Sequence, residues 1–483
     1  GYPSRLAWDL RRILFLKIDC QFARSNHAVK QSPEQNLEFD RAFEQLKDLV
    51  DLRQADLLHP RRPNAIYTAC VVLWMLIFQR LKPDASLEAA VKHLIENQPG
   101  YLPENKRLSQ GTLSSNSAAY SRARSELPLD VVKWFSNEIT RAIVGQSEPL
   151  LDGRQIFLLD GTTITLAPEK ELQTKYPPAS NQHGESVWPV VNLTVFHELS
   201  SGCALLPQLG AMYGPEAVSE TELARNGMHC LPDQSIIMAD AGFGIFGVAY
   251  QAQLLGHDFF LRMKKLNFES LRAKAKLVSQ SPKHKTYQHQ WTPTPKNRKT
   301  QPGLPRDASL AVVLHEINVN ETLTLYCVTS LPQDAATLGN LYNQRVNVEV
   351  DIRNLKVVLD TENIRAKKVD TFLKELYTSV VAYNLVGQFR RQAAELNQVA
   401  PRRMSFKRTW TTFQTFLLKH LHTEPELWRK SFERALFYAT KDKLPNRAAN
   451  RSVKRECYAK HSKRDHFEKR KKPPEKLKHT DLK

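Results

Sequence analysis

Two short apolar runs, each closed by an acid, constrain the fold of this 483-residue chain more than any other feature. Gln155-Ile-Phe-Leu-Leu-Asp160 and Ser235-Ile-Ile-Met-Ala-Asp240 have the length and continuity of buried strands, each ending on its acid. Gly161-Thr162-Thr163 follows the first acid, and Gly242 lets the chain turn at once after the second. Between the runs, Val190 to Phe196 and Cys203 to Met212 read as two strands of a meander, joined around Ser200-Ser201-Gly202. A short helix fits Glu220 to Gly227, a second Phe246 to Leu255, and a strand Phe259 to Met263.

A third acid stands on a helix with two characters. In Tyr342-Asn-Gln-Arg-Val-Asn-Val-Glu-Val-Asp-Ile-Arg-Asn-Leu-Lys356, helical spacing puts Tyr342, Arg345, Glu349 and Lys356 within a sector of about 60°. Leu341, Val348, Ile352, Leu355 and Leu359 form a core-facing stripe beside them. Asp351 points to the opposite side, so its change to Asn is expected to be nearly silent. Taken alone, a charged helical face is usually a solvated one. One acid among phosphate-binding cations also suits a metal-dependent phosphodiester site. Such a site needs carboxylates that clamp two hard cations about 3.5–4 Å apart. Asp160, Asp240 and Glu349 lie far apart in sequence, so only the fold can assemble them. Each also has a bland reading, as a turn cap or an Asx-turn.

The spacing Tyr342-x2-Arg345-x3-Glu349-x6-Lys356 resembles the signature of the insertion-sequence-four family of DDE transposases, and all four positions match. The likeness covers about residues 150–395 and is weaker over the helical region before it. The element order, three strands, a helix, a strand ending on an acid, a helix and a strand, is also that of a ribonuclease-H-like fold. The expected class is therefore α/β (α+β), with such a catalytic core and a β-rich insertion. The resemblance implies that Asp160, Asp240 and Glu349 are catalytic and hold Mg2+, for which Mn2+ substitutes. Tyr342, Arg345 and Lys356 would bind DNA, with Arg262 and Lys264 as further phosphate contacts. It also implies double-stranded DNA ends and target as partners, a homodimeric synaptic complex, and a cut-and-paste route through hairpinned ends. In some relatives a Trp stacks on a flipped base; here Val346 follows Arg345, and Trp291 is the candidate substitute.

Charge agrees with a polyanionic partner. The net charge is +19 and the pI near 9.6, which points first to nucleic acid and second to anionic membrane surfaces. Residues 441–483 hold 16 Lys and Arg against 6 Asp and Glu, as expected of a disordered basic arm. Six scattered cysteines without a C-x-x-C pair suggest neither a disulfide framework nor a zinc site, and so a reducing compartment. The longest apolar run, Ala65 to Phe78, is shorter than the roughly 20 residues of a membrane span. No membrane partner is expected, and the implied location is the bacterial cytoplasm, at the nucleoid.

The expected organisation is a peripheral segment 1–35, a helical DNA-binding domain 36–150 and a catalytic domain 151–400 with its insertion at 264–333. A helical region 401–440 and the basic tail 441–483 follow. Within 36–150, Arg107 to Pro128 reads either as a helix-turn-helix, with Arg122 and Arg124 on phosphates, or as a polar loop leading into a helix. Val369 to Asn397 is expected to be amphipathic. Gly1-Tyr2-Pro3 lacks an initiator Met, which suggests a truncated or relic reading frame, and no signal peptide is read. The alternatives to a transposase are a ribonuclease-H-like nuclease or resolvase without strand transfer, and a non-catalytic DNA-binding relic.

Overall fold

The two acid-tipped runs pair side by side, and the rest of the chain is built outward from them. In the computed structural model, strand β1 (Ile156–Thr165) lies parallel to β5 (Ile236–Ala239), with Leu159 in register with Ala239. Asp160 and Asp240 are therefore the next residues on adjacent strands, about 5 Å apart along the hydrogen-bonding direction. On its other edge β1 runs antiparallel to β3 (Gly184–Glu198), which also pairs with β2 (Pro178–Asn181) and β4 (Gln208–Ala211). β5 pairs in parallel with β6 (Asp258–Arg262). Side chains alternate along β1: Phe157 and Leu159 pack on one face of the sheet, Ile156 and Leu158 on the other.

The structure describes residues 41–445 except 43, 47, 50–51, 63, 83–85, 98–101, 104, 182–183, 322, 359, 361–363, 365 and 421–424. The segment expected to be peripheral and nearly all of the basic tail lie outside the described residues.

Beyond β6 the sheet does not stop. β7 (Lys276–Gln280), β8 (His284–Trp291), β9 (Leu310–Asn318) and β10 (Thr324–Thr329) add four antiparallel strands, with β10 hydrogen-bonded directly to β6. The β-rich segment thus extends one ten-stranded sheet. Two elements differ from expectation. β1 does not end on Asp160 but continues to Thr165, because Gly161 to Thr165 keep antiparallel partners on β3 after β5 has ended. The strand expected from Cys203 is shortened to β4, since the segment before it pairs elsewhere. The Asn384 amide bonds both backbone groups of Ala204, at 2.8 and 2.7 Å, in place of a full ladder.

The helices are α1 (Ala69–Leu81), α2 (Leu87–Asn97), α3 (Ala118–Glu126), α4 (Leu129–Gly145), α5 (Glu220–Gly227), α6 (Phe246–Leu254), α7 (Lys265–Arg272) and α8 (Ala335–Tyr342). After these come α9 (Asn347–Arg353), α10 (Val369–Leu396), α11 (Phe406–His420) and α12 (Pro425–Ala439). The expected caps are present: Ser86 accepts from Ala89 N, and Asp334 from Ala336 N and Thr337 N. α10 is not amphipathic as expected but buried on nearly every side, packing against α1, α4 and α11. Its polar residues tie those neighbours together. The Lys374 ammonium donates to the carbonyls of Arg124 and Ser125, and Gln392 donates to Ala42 O. No helix among the described residues is long and apolar enough to cross a membrane.

The helix expected from Asp334 to Leu359 is not one regular α-helix. α8 passes through a 3-10 turn at Asn343–Val346 into α9, and then through a π turn at Asn354–Val358. Overwinding followed by underwinding keeps Arg345 and Lys356 over the same strand. The reverse face of α9 is bolted down. Asp351 is fully buried and accepts two bonds from the Arg402 guanidinium, at 3.0 and 2.8 Å. Gly202 closes over this pair with φ +77°, and a Cβ there would stand 2.8 Å from Asp351 Oδ1.

Asp351 does point away from Glu349, but into a buried ion pair rather than into solvent. Asp351→Asn should therefore cost about 3 kcal/mol, since it leaves the Arg402 charge without its partner. Urea unfolding of the two proteins measures this, and a loss below about 1 kcal/mol would mean that the pair does not anchor α9.

Candidate active site

Asp160, Asp240 and Glu349 meet around one guanidinium. Arg345 Nη2 lies 3.0 Å from Asp160 Oδ2 and 3.7 Å from Asp240 Oδ2, while Nη1 lies 3.6 Å from Glu349 Oε1. The free oxygens converge because each Asp commits its other one locally. Asp160 Oδ1 accepts from Gly161 N at 2.9 Å, and Asp240 Oδ1 accepts from Gly242 N at 2.8 Å in an Asx-turn. Burial pushes the Asp160 carboxyl upward, the Arg345 charge and the Gly161 amide pull it back, and Asp240 and Glu349 push it up again. The net direction is upward, as expected of crowded carboxylates served by one cation.

The remaining signature residues border the same place. Lys356 Nζ donates to Thr162 Oγ1 at 3.2 Å, two residues along β1 from Asp160 and on the same sheet face. Tyr342 sets its ring edge against Phe260 at 5.6 Å, and burial raises its hydroxyl to about 12. Arg262 and Lys264 are exposed at the end of β6, and the Arg262 charge acts on Tyr342. Val346, on the 3-10 turn, is 57% exposed beside Arg345.

Three residues sit differently from their sequence reading. Trp291 is buried, packed edge-on against Phe246 at 5.4 Å, so it cannot stack on a base without leaving the core. Arg124 pairs with Glu375 at 3.2 Å, a carboxylate that Arg80 also approaches, and is committed to the helical core. Arg122 stays exposed on α3. Eight residues separate the Lys106–Ser109 helix from α3, where a helix-turn-helix has three or four. His229, Cys230 and Cys203 form no cluster: Cys203 is buried against α10, and the four described cysteines are free.

One residue of the site was not legible in the sequence. Glu220, the first residue of α5, reaches the end of β1 from the opposite sheet face, and its carboxyl is raised by burial and by Asp160 and Asp240. Nothing local marks it beyond the Ser219 cap, because its nearness to Asp160 is made by the pairing of β3 with β1.

The donor chemistry suits hard divalent cations, which take carboxylate oxygens. Among the described residues, however, no three His, Cys, Asp or Glu side chains stand close enough to hold one ion. The Arg345 guanidinium fills the space between them, and its buried Nε has no hydrogen-bond partner. The residues fit such an ion once Arg345 moves. Trp291 gives a separate check on the boundary of the site. Trp291→Ala should cost about 3 kcal/mol of stability and leave the nucleic-acid affinity of the folded protein unchanged. Loss of affinity without loss of stability would return Trp291 to the binding surface.

Comparison with known proteins gives three results. No curated protein matches the chain. Among solved structures, it is similar to a piggyBac transposase in a synaptic complex with hairpin DNA, with 11% identity, 86% of each chain covered and a TM-score of 0.40. A likeness that low decides nothing here. Residues 151–385, the span that holds β1, Asp160, Asp240 and Glu349, match the family model of the transposase DDE domain, and this match supports a DDE transposase.

Proposed function

We propose that the chain is a DNA transposase of the insertion-sequence-four type, which cuts the inverted-repeat ends of a mobile element and joins them to target DNA. The observation that carries the reading is the meeting of Asp160, Asp240 and Glu349 around Arg345 within the matched span. The strand order β4-β3-β1-β5-β6, three antiparallel strands and then two parallel ones, supports a ribonuclease-H-like core. Asp160, Asp240 and Glu349 would hold Mg2+ or Mn2+. Such ions, when bound, lower the pKa of an attacking water and stabilise the leaving oxygen.

The protein's own groups position the DNA. The planar fork of Arg345 pairs with phosphate as readily as with carboxylate, so a strand entering the site competes with the three acids for it. Lys356 adds a point charge over β1, and Tyr342 a hydroxyl held by its packing on Phe260. Arg262 and Lys264 extend the cationic border along the end of β6. The resemblance adds a homodimeric synapse, a hairpin route and a place at the bacterial nucleoid.

Asp160→Asn, Asp240→Asn and Glu349→Gln should each reduce cleavage of a labelled element end at least about a hundredfold while the end is still bound. That loss is the size expected when a group acting mainly in the transition state is removed. An active Glu349→Gln protein would sink the assignment. Cleavage without joining would leave a nuclease in place of a transposase.

The two cations of the helix should differ. Arg345→Lys keeps the charge but loses the fork, so single-turnover cleavage should fall well below that of Lys356→Arg. Equal and small losses in both variants would mean that neither residue grips a phosphate near the cut.

A further inference from the structure

Glycine at position 161 is not explained by the backbone. Its φ is not positive, and it lies inside β1, where a side chain is ordinarily an advantage. Its neighbour explains it. A Cβ on Gly161 would stand 2.6 Å from both Cδ and Oε1 of Glu220 and 3.0 Å from Oε2. The Glu220 carboxylate occupies the space that any other residue at 161 would fill.

The approach is built in from the other side as well. Thr194 is the partner of Gly161 across β1 and β3, and its hydroxyl donates to the Glu220 carbonyl at 3.3 Å. Ser219 caps α5 by accepting from Glu222 N at 3.2 Å. The start of α5 is thus tied to the residue opposite Gly161. No ion pair among the described residues neutralises Glu220, whereas Asp160, Asp240 and Glu349 share Arg345.

We infer that Glu220 is a fourth carboxylate of the cation site, admitted to the end of β1 by the missing side chain of Gly161. The inference rests on the reading of Asp160, Asp240 and Glu349 as cation-holding acids and extends it. Three acids with one guanidinium leave a net charge of −2, which one divalent cation balances. Once the guanidinium turns to a phosphate, four acids carry −4, which balances the two cations that phosphodiester chemistry uses. Glu220 comes from the sheet face opposite Glu349, so the two helices bracket the strand ends.

The test is a Mn2+ titration of the full chain without DNA, following free Mn2+ by electron paramagnetic resonance, with thermal melts alongside. Glu220→Gln should weaken Mn2+ binding about tenfold or more. Glu222→Gln, two residues along the same helix, should not. Gly161→Ala should weaken it by a similar factor, and the double variant Gly161→Ala/Glu220→Gln should be no worse than either single one. If Gly161→Ala fails to fold, Glu220→Gln decides alone. Glu220→Gln binding within twofold of the unaltered chain, while Asp160→Asn binds poorly, would overturn this inference and spare the proposed function. Wild-type binding in Glu220→Gln and Asp160→Asn alike, or no binding by the unaltered chain, would overturn the cation site itself.

Discussion

Like-charge repulsion at the ends of β1 and β5 is the constraint around which this molecule is arranged. The parallel register sets Asp160 beside Asp240, and the helix crossing above adds Glu349. Carboxylates at such separations repel by several kcal/mol at a protein-like dielectric, unless a cation lies between them. Arg345 is that cation, and its two terminal nitrogens reach all three acids. A Lys in its place would offer one point of charge and could not span the group. The guanidinium that makes the acids tolerable in the fold thereby obstructs the use of the acids, and whatever displaces it must bring positive charge.

Holding Arg345 and Glu349 over β1 is the task of the other face of the same helix. Val348 and Leu338 bury against Leu158, Met238 and Phe260, and Asp351 is pinned by Arg402. Buried ion pairs are seldom a net gain over apolar packing, and their better-attested use is to fix register. Here the register matters because the helix changes pitch twice. The 3-10 turn carries Arg345 and the π turn carries Lys356, so a slip of one residue would turn both away from the strand. The Asp351–Arg402 pair, closed over by Gly202, opposes that slip.

Much of this was legible in the chain. The acid-tipped runs, the Glu220 to Gly227 helix and the cap at Asp334 follow from local chemistry and occur where local chemistry puts them. Features fixed by distant partners were not. Asp160 looks like a strand end until β3 is known to pair with β1 as far as Thr165. Val369 to Asn397 has the polar residues of an exposed face, yet each of those polar groups meets its partner inside the core. Trp291 among His, Lys and Arg reads as a surface aromatic, whereas strand β8 turns it inward onto Phe246. Glu220 has no signature at all, because its position depends on a glycine 59 residues earlier in the sequence.

The charge of the whole chain and the charge of its centre have opposite signs, and the opposition is functional. A net charge of +19 draws a polyanion from a distance and accelerates encounter. Exposed Arg262 and Lys264, with Lys356 over β1, continue that field to the edge of the site. Without the acids a bound strand would stop there, neutralised and inert. With them, the last cation on the path, Arg345, already has partners, and a phosphate can take it only as those partners gain another source of positive charge. Strand entry and divalent-cation entry are thereby coupled through one side chain, each relieving what the other would leave unpaired. The coupling needs no moving domain: it follows from placing a single guanidinium where three carboxylates meet.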